Sequence, residues 1–313
     1  MNSFDLQKLA ERSRRMREAG TTLLLSSIIL ALFLFVPLKD TSIRIETVTT
    51  PTPILNTYQS ISLLAKAAIV YDLATGEILY EKNADAQLPL ASLTKLLTVY
   101  AALTDLSPDT NITISRQATG AEDAYALSEG DTFSFYDLAR LTLTASLNDG
   151  VSAIVEAVVV QKQISESIML ASAVNALNLA QTYAVNGSGL DVSMAISGGY
   201  GSASDIARLA GALVKKAPDI AWATTQKAAT AVSKEGKKFS VKNTDPIVTQ
   251  IPGLLLSKTG YTELADGNLV LVFDVGVEHP VAIVVLGSTL QGRFVDGTEL
   301  MAATFAHFAY ATP

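Results

Sequence analysis

Leu90-Ala91-Ser92-Leu93-Thr94-Lys95-Leu96-Leu97-Thr98 sets a lysine three residues after a serine at the start of an apolar-periodic run. Leu93, Leu96, Leu97, Tyr100 and Leu103 recur at three- and four-residue spacing, which predicts a helix from Ala91 to Leu106. Residues i and i+3 share a helix face, so Ser92 and Lys95 can meet if the helix starts at the serine. Two more short motifs follow in order, Ser146-Leu147-Asn148 and Lys258-Thr259-Gly260. The patterns S-x-x-K, S-x-N and K-T-G each occur once in the 313 residues. Singly, such short motifs carry little weight. In this order they describe one site, a serine nucleophile with a lysine base.

The chemistry requires those residue types. A serine hydroxyl attacks poorly until a base takes its proton. A solvated lysine, with a pKa of about 10.4, is charged at neutral pH and accepts none. Burial, a second cation and the positive end of a helix all lower it. Lys95 in a first helical turn, with Lys258 brought close, meets these conditions; the expectation is a neutral Lys95 and a charged Lys258. Ser146 falls where a helix runs out and can relay a proton. Asn148 can both donate to and accept from a peptide. Lys258 and Thr259 can hold a carboxylate, and Gly260 leaves room for substrate backbone against an apolar strand.

Composition removes the competing chemistries. The chain has no cysteine, which excludes cysteine proteases, thiolate zinc sites and disulfide scaffolds. It has two histidines, His279 and His307, both in ordinary contexts, so a metal site is not expected and a Ser-His-Asp triad has little to draw on. No cofactor motif stands out. A net charge of −7, a pI near 4.9 and the lack of a basic, aromatic-interleaved stretch argue against nucleic acid as a partner.

Residues 1–18 read as a cytoplasmic tail, with Lys8, Arg12, Arg14, Arg15 and Arg17 outnumbering Asp5, Glu11 and Glu18. Residues 19–38 carry no charge, and twenty helical residues span about 30 Å, the thickness of a bilayer core. Val36-Pro37-Leu38-Lys39 offers no small-x-small cleavage site. The expectation is one uncleaved transmembrane anchor, with everything after it outside the cytoplasm. Residues 39–62, Thr-rich and containing Thr50-Pro51-Thr52-Pro53, read as an extended linker, and 63–313 as the catalytic domain.

Within that domain, Asp72-Leu73-Ala74-Thr75-Gly76 lies between two strand-like runs and signals a hairpin. Ser134-x-x-Asp137 opens a helix that ends at Ser146, and Asp149 reads as the N-cap of another through Val160. Residues 165–217 read as mostly helical. Leu254–Leu256, Leu269–Val275 and Val281–Leu286 read as buried strands, and Gly297 to Tyr310 as a closing helix. Strands at both ends with helices between predict an α+β fold, an antiparallel sheet flanked by helices with an inserted, mostly helical lobe.

The motif flanks carry a resemblance. Tyr71-Asp72 through Gly76 to Ile78-Leu79-Tyr80-Glu81-Lys82-Asn83, the Ser92 segment, Ser146-Leu147-Asn148-Asp149, Ser188-Gly189-Leu190-Asp191, Ser204-Asp205-Ile206-Ala207-Arg208-Leu209 and Lys258-Thr259-Gly260-Tyr261-Thr262 together resemble the D-alanyl-D-alanine carboxypeptidases, the low-molecular-weight penicillin-binding serine peptidases. The resemblance covers roughly residues 65 to 310 and implies the serine β-lactamase and penicillin-binding transpeptidase-like fold. It further implies that Ser92 is acylated by a peptidoglycan stem peptide ending in D-Ala-D-Ala, and that β-lactam antibiotics acylate it as inhibitors. Lys95 would be the base, Ser146 and Lys258 the proton path to the leaving amine, and Asn148 the group that orients the substrate amide. The N–H groups of Ser92 and Tyr261 would form the oxyanion hole.

This chain departs from the family pattern in places. Leu147 replaces a common glycine, and Ser288 stands where some members carry an arginine near the substrate carboxylate, with Arg293 as the candidate replacement. The 158–170 segment is divergent. The chain stops after the catalytic domain, so the N-terminal span would take over the anchoring that many relatives place at their C-terminus. A class A β-lactamase would need a glutamate where Val174-Asn175-Ala176-Leu177-Asn178 carries valine. A D,D-endopeptidase would use the same machinery on cross-linked peptides. A penicillin-binding sensor is the remaining alternative, against which the complete motif set weighs.

Overall fold

The apolar runs at the two ends of the domain form one antiparallel sheet. The computed structural model describes residues 3–34 and 56–311. Strands β1 (Ala67–Asp72), β2 (Ile78–Lys82), β3 (Leu254–Thr262), β4 (Asp266–Asp274) and β5 (Pro280–Ser288) lie in the order β3-β4-β5-β1-β2. Side chains alternate between faces along a strand. Ile69, Val270, Val272, Ala282, Val284 and Leu286 therefore join the core of the helical lobe. Ala68, Val70, Leu269, Leu271, Val281 and Ile283 pack on the opposite face. Burial on both faces is why these strands read as unbroken apolar runs rather than alternating ones.

The β1–β2 turn is held by Asp72, whose carboxylate accepts the N–H groups of Ala74 at 2.8 Å and Thr75 at 3.1 Å. His279 Nε2 sits 2.8 Å from the other Asp72 oxygen. Gly76 closes the turn at φ +81°, a value that L side chains rarely adopt.

Helix α1 (Ser3–Leu34) forms a unit of its own, with exposed Leu23, Leu24, Ile28 and Leu30 along its second half. Among the described residues no helix is long and apolar enough to cross a membrane. The last part of the expected span, 35–38, and most of the expected linker, 39–55, lie outside the described residues. The rest of that linker is not an extended tether. Tyr58 is buried, its hydroxyl 3.1 Å from Thr304 Oγ1 and its ring 5.7 Å from that of Tyr80, so the packed body begins before residue 63.

In the lobe, α2 (Thr94–Asp105) follows a single 3₁₀ turn at Ala91–Leu93. After one short turn of helix at Arg116–Thr119, α3 (Phe135–Ala145) is capped by Ser134, whose hydroxyl accepts the N–H of Asp137. It ends at Ser146 in the left-handed conformation, φ 59°. Leu147, not Asp149, then caps α4 (Asn148–Lys162). The Asp149 carboxylate lies inside the first turn, where it accepts the N–H of Gly150 and those of Ala126 and Leu127 outside the helix. Two more helices, α5 (Glu166–Ala176) and α6 (Ala203–Lys216), complete the lobe's main helices, and α6 lays Ile206, Leu209 and Leu213 into the core. The closing helix α7 (Gly292–Ala311) covers the far face of the sheet with Phe294 and Leu300 and starts five residues earlier than its pattern suggests. A hairpin, Ala228–Val232 with Lys238–Lys242, stands where no strand is expected from the sequence.

Candidate active site

Ser92 stands on the 3₁₀ turn ahead of α2, beside the outer edge strand of the sheet. The preceding Ala91 is held at φ 48°, a left-handed value that costs an ordinary residue about 1 kcal/mol. Two glycines let the turn be gripped from both sides. A Cβ on Gly260 would lie 2.9 Å from Leu90 O and 3.2 Å from Ser92 N, and one on Gly189 would lie 1.9 Å from Ala91 O. Gly260 is therefore what allows β3 to lie against the backbone of the serine.

Lys95 is fully buried, with its Nζ 2.8 Å from Ser92 Oγ and 3.0 Å from the carbonyl of Ser188, to which it donates. Burial lowers its pKa to about 7, and the negative charge of Asp149 opposes that fall. The base and nucleophile of the sequence reading are thus in contact.

Ser146 and Lys258 form the matching pair. Lys258 Nζ donates to Ser146 Oγ at 2.9 Å and to the carbonyl of Thr259 at 2.6 Å. The surroundings of Lys258 do not favour the charged form expected from the sequence. Burial, then Lys95, then Arg293 all push its pKa well below the ordinary lysine value, and no carboxylate is among the causes. A second ammonium in this dry pocket would be repelled from two directions. Positive charge is better supported at Lys95, beside Asp149.

Asn148 Nδ2 donates to the carbonyl of Glu122 at 2.8 Å, while its buried Oδ1 has no hydrogen-bond partner among the described residues. The amide therefore offers an acceptor to an incoming N–H. Thr259 Oγ1 is 2.6 Å from Thr244 Oγ1, and Tyr261 is half exposed at the mouth of the site. Ser288 is not available to a substrate, because its hydroxyl donates to Asp296 Oδ2 at 2.6 Å and is buried. Arg293, in the first turn of α7, reaches the site instead. Its Nη1 donates to the Gly260 carbonyl at 2.7 Å, its Nε is buried without a partner among the described residues, and burial lowers its pKa against the opposing charge of Asp245.

Three contributors escaped the sequence reading. The Ser188 carbonyl is backbone and carries no residue signature, although Asn186-Gly187-Ser188-Gly189 shows a turn. Asn186 Oδ1 accepts from Ser188 N, Ser188 Oγ and Gly189 N, and that turn aims the carbonyl at Lys95. Thr244 comes from the unforeseen hairpin's exit. Asp149 seemed a helix cap and is instead the carboxylate that acts on Lys95.

Two serine–lysine pairs, Ser92 with Lys95 and Ser146 with Lys258, thus stand beside the Gly260 edge of the sheet. The profile of the D-alanyl-D-alanine carboxypeptidases matches residues 54–289, and the chain belongs to that family. It is 28% identical over 278 residues to the D-alanyl-D-alanine carboxypeptidase DacC of Escherichia coli, covering 82% of this chain and 65% of that protein. It is 28% identical to a D-alanyl-D-alanine endopeptidase of Pseudomonas aeruginosa, covering 76% of each. Its fold matches penicillin-binding protein D2 of Listeria monocytogenes in the ampicillin-bound form, with a TM-score of 0.66, 28% identity and coverage of 78% of this chain and 98% of that one. The chain spans just under two thirds of the length of the first of these relatives.

Proposed function

We propose that this chain is a membrane-anchored serine D-alanyl-D-alanine carboxypeptidase that trims peptidoglycan stem peptides through an acyl-enzyme on Ser92. The observation that carries this is the 2.8 Å contact between Ser92 Oγ and a buried Lys95 whose pKa is lowered to about 7. Neutral Lys95 takes the serine proton, and Oγ attacks the carbonyl of the penultimate D-alanine. The negative oxygen that forms is held by the N–H groups of Ser92 and Tyr261. As the C–N bond breaks, the terminal D-alanine amine receives a proton through Ser146, which Lys258 orients. Neutral Lys95 then takes a proton from water, whose oxygen attacks the ester carbonyl, and passes it to the departing Ser92 Oγ, which restores the serine hydroxyl and releases the shortened peptide with a free carboxylate. Asn148 Oδ1 accepts from the substrate amide, and Thr259 with Arg293 meets the terminal carboxylate. Lys258 and Gly260 shape the wall between them. A cavity of about 450 Å³ bordered by Tyr261, Thr262, Glu263 and Glu122 leaves room for the acyl part of the peptide.

β-Lactams, which present a reactive amide to the same serine, are the expected covalent inhibitors. The anchor reading rests on the uncharged 19–38 stretch, its basic flank and the exposed leucines and isoleucines of α1, and it places the catalytic domain outside the cytoplasm. Protease added to intact spheroplasts is then expected to remove the domain beyond Lys39, and full protection contradicts that topology.

Mass spectrometry of the purified protein with a synthetic pentapeptide ending in D-Ala-D-Ala tests the activity. Loss of one D-alanine, absent with Ser92→Ala, is expected; an intact pentapeptide refutes the reading. A second reading, cleavage of D-alanine cross-links, is favoured by the likeness to the Pseudomonas endopeptidase, which covers 76% of each chain. A cross-linked muropeptide dimer distinguishes the two, since conversion to monomers faster than release of D-alanine from the pentapeptide assigns the endopeptidase.

A further inference from the structure

Asp149 has no part in the proton path just described, yet it is completely buried between that path and a surface segment. Its Oδ2 accepts the N–H groups of Ala126 at 3.1 Å and Leu127 at 2.9 Å, and its Oδ1 accepts the N–H of Gly150 at 2.8 Å. The segment it grips, 122–127, returns to the site at two other points. The Glu122 carbonyl takes the Nδ2 hydrogen of Asn148 at 2.8 Å, which leaves the buried Asn148 Oδ1 without a partner among the described residues. The Tyr125 hydroxyl donates to the carbonyl of Ala145, beside Ser146, at 3.3 Å. Asp123, inside the same segment, sits at φ 55°, a strained value that persists only where neighbours impose it. Three ties to 145–149 supply that imposition.

We propose that Asp149 is a positioning residue that couples the two halves of the site: through the N–H groups of Ala126 and Leu127 its carboxylate holds the 122–127 segment, and with it the Asn148 amide, in place, and the same carboxylate sets the charge of the pocket that Ser92 and Lys95 share. Neither role needs contact with substrate.

The groups around Lys95 allow the second role to be isolated. Lys258 on β3 lies on one side, with Arg293 behind it, and both are cationic in type. Glu166 on α5 is engaged by the N–H of Gly187 at 2.6 Å. On α6, Asp205 is paired with Arg208 at 2.5 Å. Asp149 is the carboxylate that acts on Lys95, raising the pKa that burial lowers.

The test is the acylation rate of the full chain in detergent with a fluorescent penicillin, measured from pH 5 to 9 for the wild type, Asp149→Asn, Asp149→Glu and Tyr125→Phe. Acylation needs neutral Lys95, so removing the Asp149 charge shifts the acid limb to lower pH, by about one unit. The plateau rate of Asp149→Asn falls about tenfold, because an amide cannot accept from all three N–H groups. Asp149→Glu keeps the charge on a longer arm, and Tyr125→Phe removes one tie without touching charge. Both lose plateau rate with the limb unmoved. A purely structural residue would lower the plateau and leave every midpoint alone, so an unmoved midpoint in folded Asp149→Asn overturns the proposal. Should Asp149→Asn fail to fold by circular dichroism, a wild-type plateau in Asp149→Glu overturns it instead. The inference rests on acylation of Ser92; a wild type that takes no penicillin refutes that reading, whereas a wild type that acylates normally beside an unshifted Asp149→Asn refutes only this one.

Discussion

Lys95 and Lys258 are a natural contrast. Each is fully buried, and each places its Nζ within 2.9 Å of a serine hydroxyl and on one backbone carbonyl. Burial dominates both. Their second neighbours differ: a carboxylate, Asp149, for Lys95, but two cations, Lys95 and Arg293, for Lys258. Identical residue types at similar distances thus acquire different proton affinities from what stands behind them. Lys95 is poised to exchange a proton near neutral pH, while Lys258, its proton affinity lowered by burial and by the basic side chains beside it, positions Ser146. A motif search cannot separate them, since both are lysines of short signatures.

The largest effect is expected from Lys95→Arg. A guanidinium keeps positive charge and cannot give up a proton at working pH. Penicillin acylation should fall by about a thousandfold or more. A near wild-type rate removes Lys95 as the base.

Lys258→Arg is the next. With Arg293 beside it and the serine proton passing to Lys95 during the reaction, a permanent charge at 258 is poorly tolerated, and acylation should fall about a hundredfold. Full activity would mean that Lys258 is charged in the working site after all. The wild type itself gives a smaller, continuous measure. Below pH 7 its acylation rate should drop about tenfold per unit as Lys95 takes up a proton, and it should level off above. A rate flat from pH 5 to 8 contradicts the lowered pKa.

Stability gives the smallest effect. A lysine whose folded pKa lies below its unfolded value binds fewer protons in the native state. It therefore destabilises at neutral pH, and the cost fades as pH rises toward the unfolded value. Lys258→Met should stabilise the protein against urea at pH 7 by about 1–2 kcal/mol while abolishing acylation, with the gain shrinking by pH 10. A loss of stability would show that the lysine's hydrogen bonds outweigh its burial.

Much of this was legible in the sequence because the relevant signals are local. The apolar runs around Val270 and Val284 give strands, and the leucine spacing after Ser92 gives α2. Fixed spacing also brings out the Ser92–Lys95 and Ser146–Asn148 motifs. The Ala228–Lys242 hairpin hid because its strands, Ala-Ala-Thr-Ala-Val and Lys-Phe-Ser-Val-Lys, bury one face only and lack a long apolar run. Asp149 was misread because an acid near a helix start resembles a cap, and its true partners, Ala126 and Leu127, lie more than twenty residues upstream. The charge on Lys258 could not be read at all. It depends on Arg293, placed against the same pocket by the closing helix, and no spacing rule connects them.

The most direct test of Ser92 as the nucleophile is peptide mapping by mass spectrometry after incubation with benzylpenicillin. One penicilloyl group per chain, carried only on the peptide containing Ser92, is expected. An adduct on the peptide containing Ser146, or no adduct on a folded protein, would contradict it.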